Sequence, residues 1–152
     1  MRRWILYIAI LALVVAAPAK PVNIGDLLPI RVVAVYREDN RFRIATDTGD
    51  LGFGDTVSLA LHSMRDTASG IIYLDTAEYL LVETETMGYL EELKGYLKPK
   101  TQVCVCDQKV DLEQVPEYLA VHKSRVNLKE SAGNREIPRL VEEKGKLMLE
   151  RA

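Results

Sequence analysis

The chain has 152 residues, 48% of them hydrophobic and 28% charged, with a formal net charge of -2. That length supports one hydrophobic core and argues against two domains of typical size. The intermixed signs argue against a nucleic-acid partner, which would require a basic stripe or patch.

The opening, MRRWILYIAILALVVAAPAK, differs in class from the rest. Two arginines precede an apolar run from Trp4 to Ala17, and Ala17-Pro18-Ala19 gives the small-residue pattern of a signal-peptidase site. A spanning helix needs about 20 apolar residues, so residues 1-19 read as a cleaved secretory signal in preference to an uncleaved anchor. No cysteine follows the run closely enough for acylation, and the mature chain is expected to be extracytoplasmic, secreted or membrane-associated.

After a short lead-in, Ile30 to Tyr36 (IRVVAVY) is rich in β-branched residues and RFRIATDT alternates polar with apolar. The two form an expected β-hairpin turning near Glu38 to Asn40, with Phe42 and Ile44 on one face. The stretch TDTGDLGFGDTV follows as a loop. Beyond it Val57, Ala60, Leu61, Met64 and Ala68 mark one face of a helix capped by Thr56 and ended by Ser69-Gly70. IIYL and EYLLVE read as one bent strand or two short ones. TMGYLEELKGYLK predicts a second helix with Met87, Leu90, Leu93 and Leu97 inward, stopped by Pro99. TQVCVC predicts a strand, and DLEQVPEYLAVHK a third helix opening on Asp111, bent or shifted in its start by Pro116.

This alternation predicts an α/β (α+β) single domain over residues 20-125. Its mixed sheet has about four to five strands, at least one pair parallel, covered by about three helices. Residues 126-152 form a charged tail, partly helical through EEKGKLMLERA and interrupted by Gly145, that packs weakly or docks on a partner.

The glycine- and aspartate-rich loop invites a metal or phosphate reading. An EF-hand counted from Asp47 needs oxygen ligands at positions 3 and 5 and a glutamate at 12. Gly49, Leu51 and Ser58 stand there. Gly49, Gly52 and Gly54 follow neither the dinucleotide spacing nor a GK[ST] ending. They are expected to supply positive φ in a tight strand-to-helix turn, with Thr56 as the helix cap. No metal or cofactor is expected.

Cys104 and Cys106, two apart on a strand, share a face. Buried thiols lead, a disulfide is second, and metal or redox chemistry last, because one CxC without a neighbouring histidine lacks zinc-site spacing. His62 and His122 have no Ser-His-Asp order, GxSxG or HExxH around them, so no catalytic residue is assigned. Glu83, Glu85, Glu91 and Glu92 read as a solvated cluster, and Tyr73, Tyr79, Tyr89, Tyr96 and Tyr118 as residues of the core edge.

On these residues one family is matched in pattern. Gly52-Phe53-Gly54-Asp55-Thr56, the helix Val57 to Ala68, Ile71 to Leu74 and Tyr79 to Val82 together resemble the first domain of the spore-germination C-subunit proteins, the Ger(x)C family of nutrient germinant receptors. IGDLLPIRVVAVYREDNRFRIATDT is similar to that domain's opening, and LEELKGYLKPKTQVCVC to its next helix and strand. The resemblance spans about Ile24 to His122. It departs at Leu59, where the family usually has a capping glutamate, and at Asp75-Thr76-Ala77-Glu78, where it often has a histidine. The lipoprotein cysteine and later domains have no counterpart.

The resemblance implies a non-enzymatic receptor-like component and makes the glycines a turn again. The expected function is a non-catalytic extracytoplasmic interaction module, tied to germination or sporulation in a spore-forming bacterium, that contacts a protein partner at or near the membrane. Asp47, Asp50, Phe53 and Asp55 are its expected binding residues, Phe53 the anchor, and the tail from Asn127 a second contact. The alternatives are a metal-dependent hydrolase using the Asp47 to Asp55 loop and a thiol or redox protein using Cys104 and Cys106.

Overall fold

A computed structural model describes residues 27–131 and 136–151. The expected signal at residues 1-19 lies outside them. Among the described residues nine strands and three α-helices follow in chain order: β1 (Leu27–Pro29), β2 (Val32–Glu38), β3 (Arg41–Thr46), β4 (Leu51–Gly54), α1 (Val57–Thr67), β5 (Ile71–Tyr73), β6 (Tyr79–Val82), α2 (Leu90–Leu93), β7 (Gln102–Val105), α3 (Val115–Val121), β8 (Arg139–Glu143) and β9 (Lys146–Glu150).

The main sheet has seven strands in the order β4-β3-β2-β6-β7-β8-β9. Its middle four, β2, β6, β7 and β8, are mutually parallel, while antiparallel hairpins extend it at both ends. β1 and β5 form a separate parallel pair. The fold is mixed α/β in one domain, as the alternation of elements predicts, with more strands than the expected four to five.

Side chains alternate across the sheet and build a core on each face. Val33, Val35, Ile44, Leu80, Val82, Val103 and Val105 face α1 through Val57, Ala60, Leu61 and Met64, and face Leu90, Leu93 and Leu97 of the α2 region. The other face carries Val32, Ala34, Tyr36, Tyr79, Leu81, Cys104 and Cys106 against Val115 and Leu119 of α3. β6 is buried on both faces, which is why its sequence is continuously apolar and not alternating. Hydroxyls carried into this interior find acceptors: Thr86 donates to the Val35 carbonyl at 3.2 Å, Thr101 to Ala77 at 3.0 Å and Ser124 to Val103 at 2.9 Å.

Three details differ from the sequence-based expectations. The loop read over residues 46–57 contains a strand, β4, which closes one end of the sheet. The second helix is mostly 3-10 and turns: a 3-10 segment spans Thr84–Tyr89 and regular α-helix only Leu90–Leu93. Gly88 and Gly95 flank that short helix, and glycine weakens a helix interior by about 1 kcal/mol each. Its inward face survives, with Leu90, Leu93 and Leu97 buried. The third helix has the shifted start expected of Pro116: it begins at Val115 with that proline in its first turn, while Asp111 accepts the Glu113 amide at 3.1 Å in a preceding turn.

The largest correction concerns the tail. Residues 126-152, expected to be partly helical, contribute the β8–β9 hairpin to the main sheet, and buried Val126, Leu128, Ile137 and Leu140 to the two cores. Gly145 is no helix break; with Lys144 it forms a two-residue turn at φ 75 and 52, the left-handed pair that joins tightly connected antiparallel strands. Asp39 and Asn40, at φ 49 and 63, do the same between β2 and β3.

Candidate functional site

The segment from Thr46 to Thr56 departs from a single loop site, because β4 stretches it. Asp47 and Asp50 lie at one end of the β3–β4 hairpin and Asp55 at the other, roughly 16 Å along the strand from Asp50 at ordinary strand rise. Each carboxylate has its own local task. Asp47 accepts the amides of Arg31 and Val32, both at 3.1 Å, and so clamps the start of β2. Asp50 accepts the Thr48 hydroxyl at 2.7 Å. Asp55 pairs with Arg41 at 3.1 Å on the open surface. Among the described residues no group of three His, Cys, Asp or Glu side chains is placed to hold a metal ion.

The glycines divide in role. Gly49 has φ +84 and provides the expected left-handed turn residue. Gly52 and Gly54 lie in strand β4 and serve a different need, which corrects their reading as turn residues. A Cβ on Gly52 would lie 2.1 Å from the Ala60 carbonyl oxygen, and one on Gly54 2.4 Å from the Ala60 amide nitrogen. They let α1 lie directly on the strand. Thr56 caps α1 as expected, accepting the Leu59 amide at 3.2 Å.

Because Gly52 and Gly54 face α1, the alternate residues Leu51 and Phe53 face away from it. They are 40% and 43% exposed, large apolar side chains side by side on one edge strand. The Arg43 guanidinium lies 6.0 Å from the centre of the Phe53 ring, and also reaches Glu38 at 3.3 Å. The buried Nε of Arg43 has no hydrogen-bond partner among the described residues. The β4 backbone is partly covered by α1: Ser63 accepts the Phe53 amide and Thr67 donates to the Leu51 carbonyl. What this edge offers a partner is therefore side chains, with its ladder groups at least partly engaged.

A second polar cluster, at the carboxyl ends of the parallel strands, is where open α/β sheets commonly bind ligands. Asp107 accepts the Thr84 amide at 2.7 Å, the Thr84 hydroxyl at 2.9 Å and Arg139 at 2.7 Å. Glu38 accepts Lys109 at 2.8 Å, which with Arg43 holds its carboxyl below the usual carboxylate range. Glu83 accepts the Arg37 amide at 2.7 Å. Beside them lies a cleft of about 360 Å³ lined by Thr84, Met87, Val105, Ile137 and Arg139. The sequence reading missed this cluster, since Thr84, Asp107 and Arg139 are far apart in the chain and match no motif. The only hint was an aspartate directly after TQVCVC.

Cys104 and Cys106 are buried free thiols on one face of β7 and its extension. Burial pushes Cys104 up to about 12 and raises Cys106 as well, the opposite of the depressed pKa that makes a thiol reactive. Burial likewise raises Tyr36 and Tyr79. His62 is exposed, and His122 stacks on Tyr118 with ring centres 4.6 Å apart; neither meets a nucleophile.

These raised groups dictate an alkaline limit to stability. Each keeps its proton longer in the folded state, so the unfolded chain binds fewer protons once the pH passes the ordinary thiol value. The thiols' contribution is complete below about pH 8.5 and the tyrosines' below about pH 10, and each is lost as pH rises from there toward its folded pKa, at about 1 kcal/mol per pH unit. The urea midpoint is expected to fall steadily from pH 8.5 to 11. It is expected to fall less steeply for Cys104→Ala; equal slopes would show that Cys104 is not the group responsible.

Compared with protein-family models, with curated proteins and with solved structures, the chain gives no match in any of the three.

Proposed function

We propose that this protein is a non-catalytic interaction module acting outside the cytoplasmic membrane by contact with a protein at or near it. The observation that carries the reading is the Leu51 and Phe53 pair, exposed on an edge strand whose backbone is partly covered by α1. Exposed aromatic side chains beside arginine are typical interface anchors, and Arg43 lies against the Phe53 ring.

The four residues expected to bind do not act as one cluster. Phe53 keeps its role as anchor, and Asp55 with Arg41 forms the polar rim nearest the strand's end. Asp47 instead clamps the start of β2, and Asp50 serves the β3–β4 turn. The hydrolase alternative loses its support with that separation, and the thiol alternative loses it with the burial and raised pKa of both cysteines.

The tie to germination or sporulation rests on the resemblance to the first Ger(x)C domain. Support comes from the order of strands β2 and β3, the glycine-bearing strand β4, a helix capped by Thr56 and a strand ending at Val82. The extracytoplasmic setting rests on the basic and apolar opening of the sequence.

The test is capture of envelope proteins on the immobilised full chain. Phe53→Ala is expected to weaken capture about tenfold or more while leaving the thermal midpoint within a degree or two, since the ring is exposed. Undiminished capture by Phe53→Ala would contradict the assignment of this surface.

A further inference from the structure

The two ends of the main sheet are finished differently. At β4 the hydroxyls of Ser63 and Thr67 reach the outward backbone. At β9 no hydrogen bond from a described residue reaches the outer edge. The phase of that edge follows from the hairpin. Glu143 and Lys146 flank the two-residue turn and therefore exchange both their backbone hydrogen bonds, as do Val141 with Met148 and Arg139 with Glu150. Glu142 points the other way, donating its amide to the Gln108 side chain. The N–H and C=O groups of Leu147 and Leu149 thus face outward along a strand to which no other described strand pairs on that side.

From this edge we infer that the protein forms a two-fold dimer in which β9 pairs antiparallel with β9 of a second copy, centred on Met148. The sequence Lys146-Leu-Met-Leu-Glu150 is complementary to itself in that register. Leu147 meets Leu149 of the other copy as a hydrogen-bonded pair, twice, using all the outward groups of both residues. Met148, 37% exposed, meets its own copy. Lys146 meets Glu150 of the other copy at both ends.

The neighbouring strand reinforces this register. Within the hairpin, Glu143 already stands opposite Lys146, and Arg139 opposite Glu150. Across the dimer these rows become Glu143, Lys146, Glu150, Arg139, alternating in charge without a like-charged neighbour, and the central row becomes Val141, Met148, Met148, Val141. Lysine on a free edge ordinarily guards against pairing. Here the glutamate at the same distance beyond Met148 removes that guard for one partner, an antiparallel copy of the same strand. A shift of the pairing by two residues would leave a lysine or a glutamate unmatched at each end. The interface is isologous and closes after two copies.

The experiment uses the full chain in mild detergent, with a cysteine placed at the two-fold axis. Met148 and its copy form a non-hydrogen-bonded pair, with Cα atoms about 4.5 Å apart, so Met148→Cys is expected to give a disulfide-linked dimer under mild oxidation. Val121→Cys, at a 77% exposed position on α3, serves as the control for random collision. Adding Lys146→Glu to Met148→Cys creates two like-charge pairs and is expected to slow linkage about tenfold. Adding Glu150→Lys to that variant restores opposite charges and is expected to restore the rate. Linkage no faster than the control would overturn the dimer, and failure of the charge exchange to restore the rate would overturn its register. Equilibrium sedimentation of the unmodified chain as a monomer at every concentration would also overturn it.

Discussion

Gly52→Ala is expected to destabilise the fold by about 3 kcal/mol, at the upper end for overpacking a closely fitted contact. The added methyl would lie 2.1 Å from the Ala60 carbonyl oxygen, 2.6 Å from the Met64 Cβ and 2.8 Å from the Met64 amide nitrogen. Two of those three atoms are backbone of α1, so no side-chain rotation relieves the clash and the helix itself must lift from β4. Lifting α1 opens the contact through which Ala60, Leu61 and Met64 enter the core. Two comparisons isolate the cause. Gly49→Ala meets no atom within 4 Å but must hold φ +84, and is expected to cost about 1 kcal/mol. Gly88→Ala meets no atom and no positive φ, and is expected to be neutral or to stabilise by up to about 1 kcal/mol. Urea denaturation of the three variants checks the order; a Gly52→Ala protein as stable as Gly88→Ala would mean that α1 does not lie this close to β4.

Asp47→Ala is expected to cost about 2 kcal/mol, within the range for hydrogen bonds to a charged group. Its carboxylate receives the Arg31 and Val32 amides, while its own amide donates to the Val32 carbonyl at 3.3 Å. Val32 begins the interior strand β2, whose next four residues are all buried, so Asp47 fixes where that strand starts. Asp47→Asn keeps one carbonyl acceptor and is expected to cost about half as much. Asp50→Ala, which removes a carboxylate bonded to the exposed Thr48 hydroxyl, is expected to cost under 1 kcal/mol. Equal losses for Asp47→Ala and Asp50→Ala would remove the distinction between a clamp on β2 and a turn residue.

Much of the scaffold is legible in the sequence because its signals are strong and local. β2 and β3 show as a β-branched run and an alternating run around Asp-Asn, and α1 shows through its spaced apolar face and threonine cap. β6 and β7 show as short apolar runs. What escapes reading is whatever depends on a distant partner. LGFG reads poorly as a strand because two of its four residues are glycine, and they are glycine because α1 leaves no room for side chains on that face. EEKGKLMLE carries charges and good helix formers, yet Lys144-Gly145 with Leu147 and Leu149 in alternation is the signature of a hairpin. Helix propensity there is overruled by pairing with the sheet.

The candidate site was legible in part. Phe53 lies exposed on β4, which is what its proposed role as an anchor requires. Asp47, Asp50 and Asp55 looked like neighbours because nine residues of sequence hold them, but four of those residues extend as β4 and carry Asp55 away from the other two. The Asp107, Thr84 and Arg139 cluster required the fold, since parallel pairing of β6 with β7 and of β7 with β8 is what brings those three together.

The most direct test of the proposed interaction surface is site-specific photocrosslinking in intact cells, during growth and during sporulation. A photoreactive phenylalanine analogue replaces Phe53 in one strain and Val121, which is more exposed and lies on α3, in another. The account predicts a discrete protein adduct from position 53 that is absent from position 121. No adduct at 53 in either state, or the same adducts from both positions, would contradict it.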